Sequence, residues 1–281
     1  MSLRHAPWTE SADFAIGLRP IEAAAWLEGG EADPAARKDP LLAARPFDVF
    51  AQTPGSDPGQ AEVLALVESV LGPAAARADL PPLYAAARRV ADDLCLMEKR
   101  DGAWRLTALS LSAGSYFRAG EVVGRSLAQL HGPVNGFSER FLTRVERIFE
   151  GLRPDLILER RNWSVVNSDV LHAPDPAPIR AQIPRIDPDQ VGRALFTRVE
   201  RQTLRRLPQT GGVLFTIRVW LTSLEEIAAD PARLSAFAQA WRRAPSGFRD
   251  YKRLELYDEL MEAFFRAHGE SHSINVPGSP S

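Results

Sequence analysis

The chain has 281 residues, 45% of them hydrophobic and 25% charged, enough to bury one large core or two small ones. A formal net charge of -2 gives no broad drive toward nucleic acid or an anionic membrane, and no apolar run approaches the ~20 residues that cross a bilayer. The single cysteine, Cys95, excludes an internal disulfide and any zinc or iron–sulfur site that needs several cysteines of one chain. That usage, with a start (MSLRHAPWTE) lacking the apolar core of a signal peptide, predicts a cytoplasmic location.

Residues 1–60 are rich in Pro, Ala and Gly and predict an irregular wrap with short apolar pieces, FAIGL and PFDVF. In 61–72, Val63, Leu66, Val67, Val70 and Leu71 share one helical face, and a second helix is predicted over 82–93. The period then shortens. LCLME (94–98) and AWRLTALSL (103–111) flank Lys99-Arg100-Asp101-Gly102, and Asp-Gly between two strand-like runs predicts a hairpin. Helical patterning returns at 119–130 and 138–150. In the second segment Phe141, Val145, Ile148 and Leu152 form a stripe, Ser138 can cap the start, and Gly151 and Pro154 mark the end.

Three further strands are predicted at 156–166, 195–207 and 212–221, the last two joined across Pro208-Gln209-Thr210-Gly211, with a Pro-rich loop at 171–188. Helices follow near 231–243 and 250–267, where Tyr257, Leu260, Met261 and Phe264 form a buried face; the tail from 268 reads as unstructured. The expected fold is α/β of the α+β kind: a PAS-like five-stranded antiparallel sheet with helices inserted after the second strand. N- and C-terminal extensions are helical. The expected divisions are a wrap at 1–60, the ligand-binding domain with its C-terminal helices at 61–267, and the tail at 268–281.

Among five histidines, His131 stands between an apolar helical run and a Gly-Pro stop in LAQLHGPVNGF (127–137). It either caps a helix or aims an imidazole at a metal centre, heme iron foremost. His5 and His272 lie in the ends, His172 borders the Pro-rich loop, and His268 continues the face of the last helix. No two histidines have the spacing of a divalent-metal site.

Several longer stretches carry a family likeness. RVERQTLRRLPQTGGVLFTIRVWL (198–221), GLRPIEAAAWL (17–27), DLCLMEKRDGAWRLTA (93–108), GRSLAQLHGPVNGF (124–137) and RRNWSV (160–165) resemble, in order, segments of the heme-dependent oxidative N-demethylase family, alpha-subunit-like. The resemblance implies one heme b (iron) held through a histidine in a PAS-like fold. It also implies oxidation of a small methylated secondary amine by O2 to a primary amine and formaldehyde. Electrons would come from a separate flavin and iron–sulfur reductase or ferredoxin-type donor, with no nucleic acid or membrane partner. The sequence departs from the family pattern at Gly114-Ser115-Tyr116-Phe117, where the family has Pro-Ser-x-Trp, at Val122 in place of a Lys, and at Asn135.

On this reading His131 is the metal ligand. The heme propionates need cationic partners, for which Arg201 and Arg218 are the first candidates and Arg161 and Arg205 the next. Alternation along 195–207 puts Arg201 and Arg205 on one face and Glu200 and Gln202 on the other, leaving open which face is inward. Glu200, Thr216 and Asn162 are candidates for orienting the amine or relaying protons to bound O2. Glu200 has an equal alternative as a salt-bridge partner of a neighbouring-strand Arg such as Arg218, and Trp163 reads as core. Two classes stay open, a heme-dependent monooxygenase and a non-catalytic heme- or small-ligand-binding PAS-like sensor or carrier, with an empty structural domain as a third. No output segment accompanies the domain, which favours the enzyme.

Overall fold

The computed structural model describes residues 6–9, 17–75, 77–131 and 139–270, except for the side chains of Thr9, His131 and residues 139–141. Its centre is one antiparallel seven-stranded sheet. The strands are β1 (Arg19–Ile21), β2 (Phe50–Gln52), β3 (Asp93–Arg100), β4 (Ala103–Ser110), β5 (Ile157–Val166), β6 (Phe196–Arg206) and β7 (Val213–Ser223), in the order β1-β5-β6-β7-β3-β4-β2. The five strands expected from the sequence, β3 to β7, are contiguous at the centre. Two three-residue strands from the N-terminal segment, expected to be irregular, close the two edges. They are too short to show a period of two. Pairing with β5 and β4 makes them strands, and it covers edges that would otherwise expose unpaired backbone.

The β3–β4 hairpin turns at Asp101-Gly102, both in the left-handed region (φ 51° and 78°), as a two-residue type I′ turn requires. The turn joining β6 to β7 is held from outside: Glu62 accepts from the Gln209 and Thr210 backbone N–H groups at 2.7 and 2.8 Å and from the Thr210 hydroxyl at 2.6 Å. Glu62 lies on helix Asp57–Leu71, which corresponds to the helix expected at 61–72.

Two expected helices are broken, for visible reasons. The segment 119–130 forms Ala119–Val122 and Leu127–His131 with Gly124 at φ 83° between them. There the backbone bonds to β4 instead: Gly124 N–H donates to Leu106 O at 2.7 Å, and Leu106 N–H donates to Arg125 O at 3.0 Å. The segment 250–267 divides at Arg253 (φ 55°) into helix Ser246–Lys252, a turn of 3-10 helix, and helix Asp258–Ala267. The helix expected over 82–93 ends at Ala87, and Asp93 already belongs to β3.

Both faces of the sheet are covered. On the first, Leu94, Leu96 and Leu214 pack against Val63, Val67, Leu83 and Trp26, while Trp163, Val165 and Val199 pack against Phe237, Trp241 and Phe248 of the C-terminal helices. On the second, Cys95, Met97, Leu109, Leu204 and Val213 pack against Leu127, Phe149 and Leu152 of the inserted helices. Trp163 is core, as expected: it is 3% exposed and lies 5.3 to 5.6 Å from the rings of Phe248 and Phe237.

Candidate functional site: a cationic cleft on the inserted-helix face

Register decides which side chains meet. Asn162, Glu200 and Val219 lie opposite one another on β5, β6 and β7, as do Arg160, Gln202 and Ile217. All six therefore point to the face covered by the inserted helices. The Arg160 Nε donates to Gln202 Oε1 at 2.6 Å, Gln202 Nε2 to Glu200 Oε2 at 2.9 Å, and Asn162 Nδ2 to the same oxygen at 3.3 Å. Arg198 pairs with Glu200 Oε1 at 3.3 Å and donates to Ala113 O at 2.6 Å. Lys252, from helix Ser246–Lys252, donates to Asn162 Oδ1 at 3.3 Å.

Three cations thus gather around the Glu200 carboxylate, with Asp93 on the same face. Burial pushes Glu200 up, but Arg198 and Lys252 outweigh it and hold the carboxyl below its usual range, so Glu200 is ionised at neutral pH. Burial lowers both Arg160 and Lys252, which is the signature of cations short of counter-charge. Tyr251 on the same helix is also pushed up, by burial and then by Glu200. These groups are ringed by protein, yet Glu200 keeps 22% of its side-chain surface accessible and Tyr251 is 38% exposed. Side chains that are central and still reachable line a cleft. Phe215 and Ile217, on central strand β7, are likewise only partly buried.

Asp93 fixes the exit toward the inserted helices, since its carboxylate accepts from Ser112 N at 2.6 Å, Ser112 Oγ at 2.8 Å and Ala113 N at 3.0 Å. His131 is the last residue of helix Leu127–His131, on this same side of the sheet. Its ring, and the segment 132–138 with Asn135, lie outside the described residues.

The remaining expected site residues are elsewhere. Arg201, Arg205, Arg161, Arg218 and Thr216 all point to the opposite face. Arg201 is 1% exposed and fully engaged, with Glu159, with Glu28 at 3.3 Å, and with the carbonyls of Trp26 and Ala25 at 2.8 and 2.6 Å. Arg161 pairs with Glu159 at 3.0 Å, Arg205 stacks on Trp26 at 4.5 Å, and Arg218 meets Glu31 at 3.3 Å. Thr216 shares a 2.7 Å hydrogen bond with Thr203, which accepts from the Trp26 indole at 3.1 Å. These side chains bind the N-terminal segment to the sheet. Glu200 and Asn162 are brought together; Thr216 is not with them, and the ion-pair partner of Glu200 is Arg198 rather than Arg218.

Two other histidines are also placed. His268 stacks on Phe264 at 4.3 Å at the end of the last helix. His172 has a side chain only 7% exposed and sits 3.8 Å from Asp48, and neither ring nitrogen has a hydrogen-bond partner among the described residues. Burial lowers its pKa.

The donor set on this face, apolar Phe215, Ile217 and Val219 with the cations Arg160, Arg198 and Lys252 at one end, suits the chemistry of a ligand with apolar faces and anionic arms. Among the described residues no group of three or more His, Cys, Asp or Glu is placed to hold a metal ion, whereas a heme iron asks for only one or two protein ligands. No described helix is long and apolar enough to cross a membrane.

Fold and cleft together define a mixed α/β protein whose central sheet presents a buried, net-cationic recess to its inserted helices. The family described as "Haem-dependent oxidative N-demethylase, alpha subunit-like" matches residues 41–261, and the chain belongs to that family. The match spans the five central strands, the inserted segment and most of the C-terminal helices; it begins beyond the 17–27 motif.

Proposed function

We propose that this protein is a heme-dependent oxidative N-demethylase that binds heme b between the inner face of the sheet and the inserted helices. The observation that carries this reading is the cluster of cations on that face, Arg160, Arg198 and Lys252, against the carboxylates of Glu200 and Asp93. Propionates would add counter-charge to it. Arg160 and Lys252 would hold them, because each keeps donors beyond its single hydrogen bond to a neutral amide. His131 would supply the axial nitrogen. The five central strands, with helices inserted between β4 and β5, support a PAS-like architecture with two added edge strands.

When bound, the heme supplies the activation of O2. Two electrons arrive from a separate flavin or iron–sulfur donor, and with two protons the balance is a methylated secondary amine plus O2 to a primary amine, formaldehyde and water. The protein's own groups bind and orient. Ionised Glu200, steadied by Asn162 and Gln202, presents an anion to the ammonium of the substrate and can accept its proton as the free amine forms. Phe215, Ile217 and Val219 keep water from the reacting methyl group. Arg201, Arg161, Arg205, Arg218 and Thr216 act at a distance, by fastening the N-terminal segment that backs the same strands.

The test is reconstitution with hemin, followed by reaction of a panel of methylated amines with O2 and a surrogate reductant. A Soret band with stoichiometric heme and formaldehyde from at least one amine is expected. Heme binding without formaldehyde from any amine would make the protein a carrier or sensor, and no heme binding would end the reading altogether.

A further inference from the structure

A second recess adjoins the cationic cleft. It is a small, open surface cavity of about 20 Å³ bounded by Ser115, Tyr116, Asn167, Arg180 and Tyr257, with Arg198 in its wall. Arg198 therefore lines this cavity while it pairs with Glu200 of the cleft. The walls are tied together: Tyr116 N–H donates to Ala173 O at 3.2 Å and Ala173 N–H to Gly114 O at 2.8 Å. Asn167 donates to Ile179 O at 2.6 Å and accepts from the Tyr257 hydroxyl at 3.1 Å.

Tyr116 is a non-glycine residue at φ 76°, a conformation that persists only where surrounding contacts impose it. Its ring is 50% exposed and lies 4.8 Å beneath the Arg180 guanidinium. Stacking fixes the plane of Arg180 and leaves its in-plane donors free for an anion.

Two arginines that line one cavity, one of them paired with Glu200, suit a substrate that carries a carboxylate beside an ammonium. We propose that Arg180 and Arg198 form a carboxylate subsite, and that the substrate class is an N-methylated amino acid: carboxylate at Arg180, secondary amine toward Glu200. The assignment rests on the demethylase reading for its reaction, but not for its binding.

The test is calorimetric titration of the heme-loaded protein with N-methylglycine, its methyl ester and dimethylamine, repeated with Arg180→Gln and Arg180→Lys. N-methylglycine is expected to bind at least ten-fold tighter than its ester or dimethylamine. Arg180→Gln should bring the acid-to-ester ratio near one, and Arg180→Lys should restore part of it. The Soret band and melting temperature of each variant show that heme and fold are intact. Equal affinity for acid and ester, absence of binding by the acid, or a ratio unchanged in Arg180→Gln would overturn the subsite. A carboxylate preference without any formaldehyde would leave the subsite standing and remove the demethylase reading instead.

Discussion

Replacing Arg160 and Lys252 together by glutamine is expected to weaken heme binding by about 10- to 100-fold for each residue, since a hydrogen bond to a charged group contributes roughly 1.5–3 kcal/mol. The heme-free protein should move the other way. Both side chains are cations whose charge burial disfavours, and each has only a neutral amide oxygen as its hydrogen-bond acceptor. Neutralising them relieves that penalty and their mutual repulsion. Heme-free melting temperature should hold or rise while affinity falls, a combination that simple misfolding does not produce. Hemin titration at the Soret band with parallel thermal melts reads both quantities. A change in affinity below two-fold would place the propionates elsewhere.

Replacing Glu159 by alanine is expected to destabilise the fold by about 3–5 kcal/mol, the range for breaking a buried ion pair and leaving its partners uncompensated. Glu159 is 2% exposed and is the shared acceptor for Arg201, Arg161 and Arg19. Without it buried Arg201 keeps Glu28 as its carboxylate and lies beside half-buried Arg161 on the paired strand. β1 also loses the Arg19 contact that holds it to β5. Urea denaturation measures the loss, and Trp26, whose carbonyl accepts from Arg201, reports release of the N-terminal segment by its fluorescence. A loss under 1 kcal/mol would show that this network contributes little to the fold.

The sheet was legible in the sequence because its five central strands are short apolar and β-branched runs bounded by turn residues and its hairpin carries Asp-Gly. The edge strands were not, since three residues such as Arg19-Pro20-Ile21 hold no period and become a strand only by pairing. The break at Gly124 was hidden for a related reason, as it answers to backbone bonds with β4 that local pattern does not show.

For the site, alternation correctly separated Glu200 and Gln202 from Arg201 and Arg205, but it could not say which set faces the inserted helices. Both faces of the sheet are buried and both carry Arg, so hydrophobicity does not distinguish them. The same alternation held an unused signal. Arg160 is two residues from Asn162 on one strand, hence on the Glu200 side, whereas the adjacent Arg161 is on the other. Lys252 lies far away in the chain, and its only mark was being one of three lysines in an arginine-rich sequence. Burial, rather than spacing, sets His172 apart.

The proposed function requires a bond between the His131 imidazole and heme iron, and the visible spectrum of reconstituted protein reads it directly. The prediction is that His131→Ala shifts or abolishes the Soret band, that added imidazole restores it, and that His172→Ala leaves it unchanged. A His131→Ala spectrum identical to wild type, or a shift that follows His172→Ala instead, would contradict it.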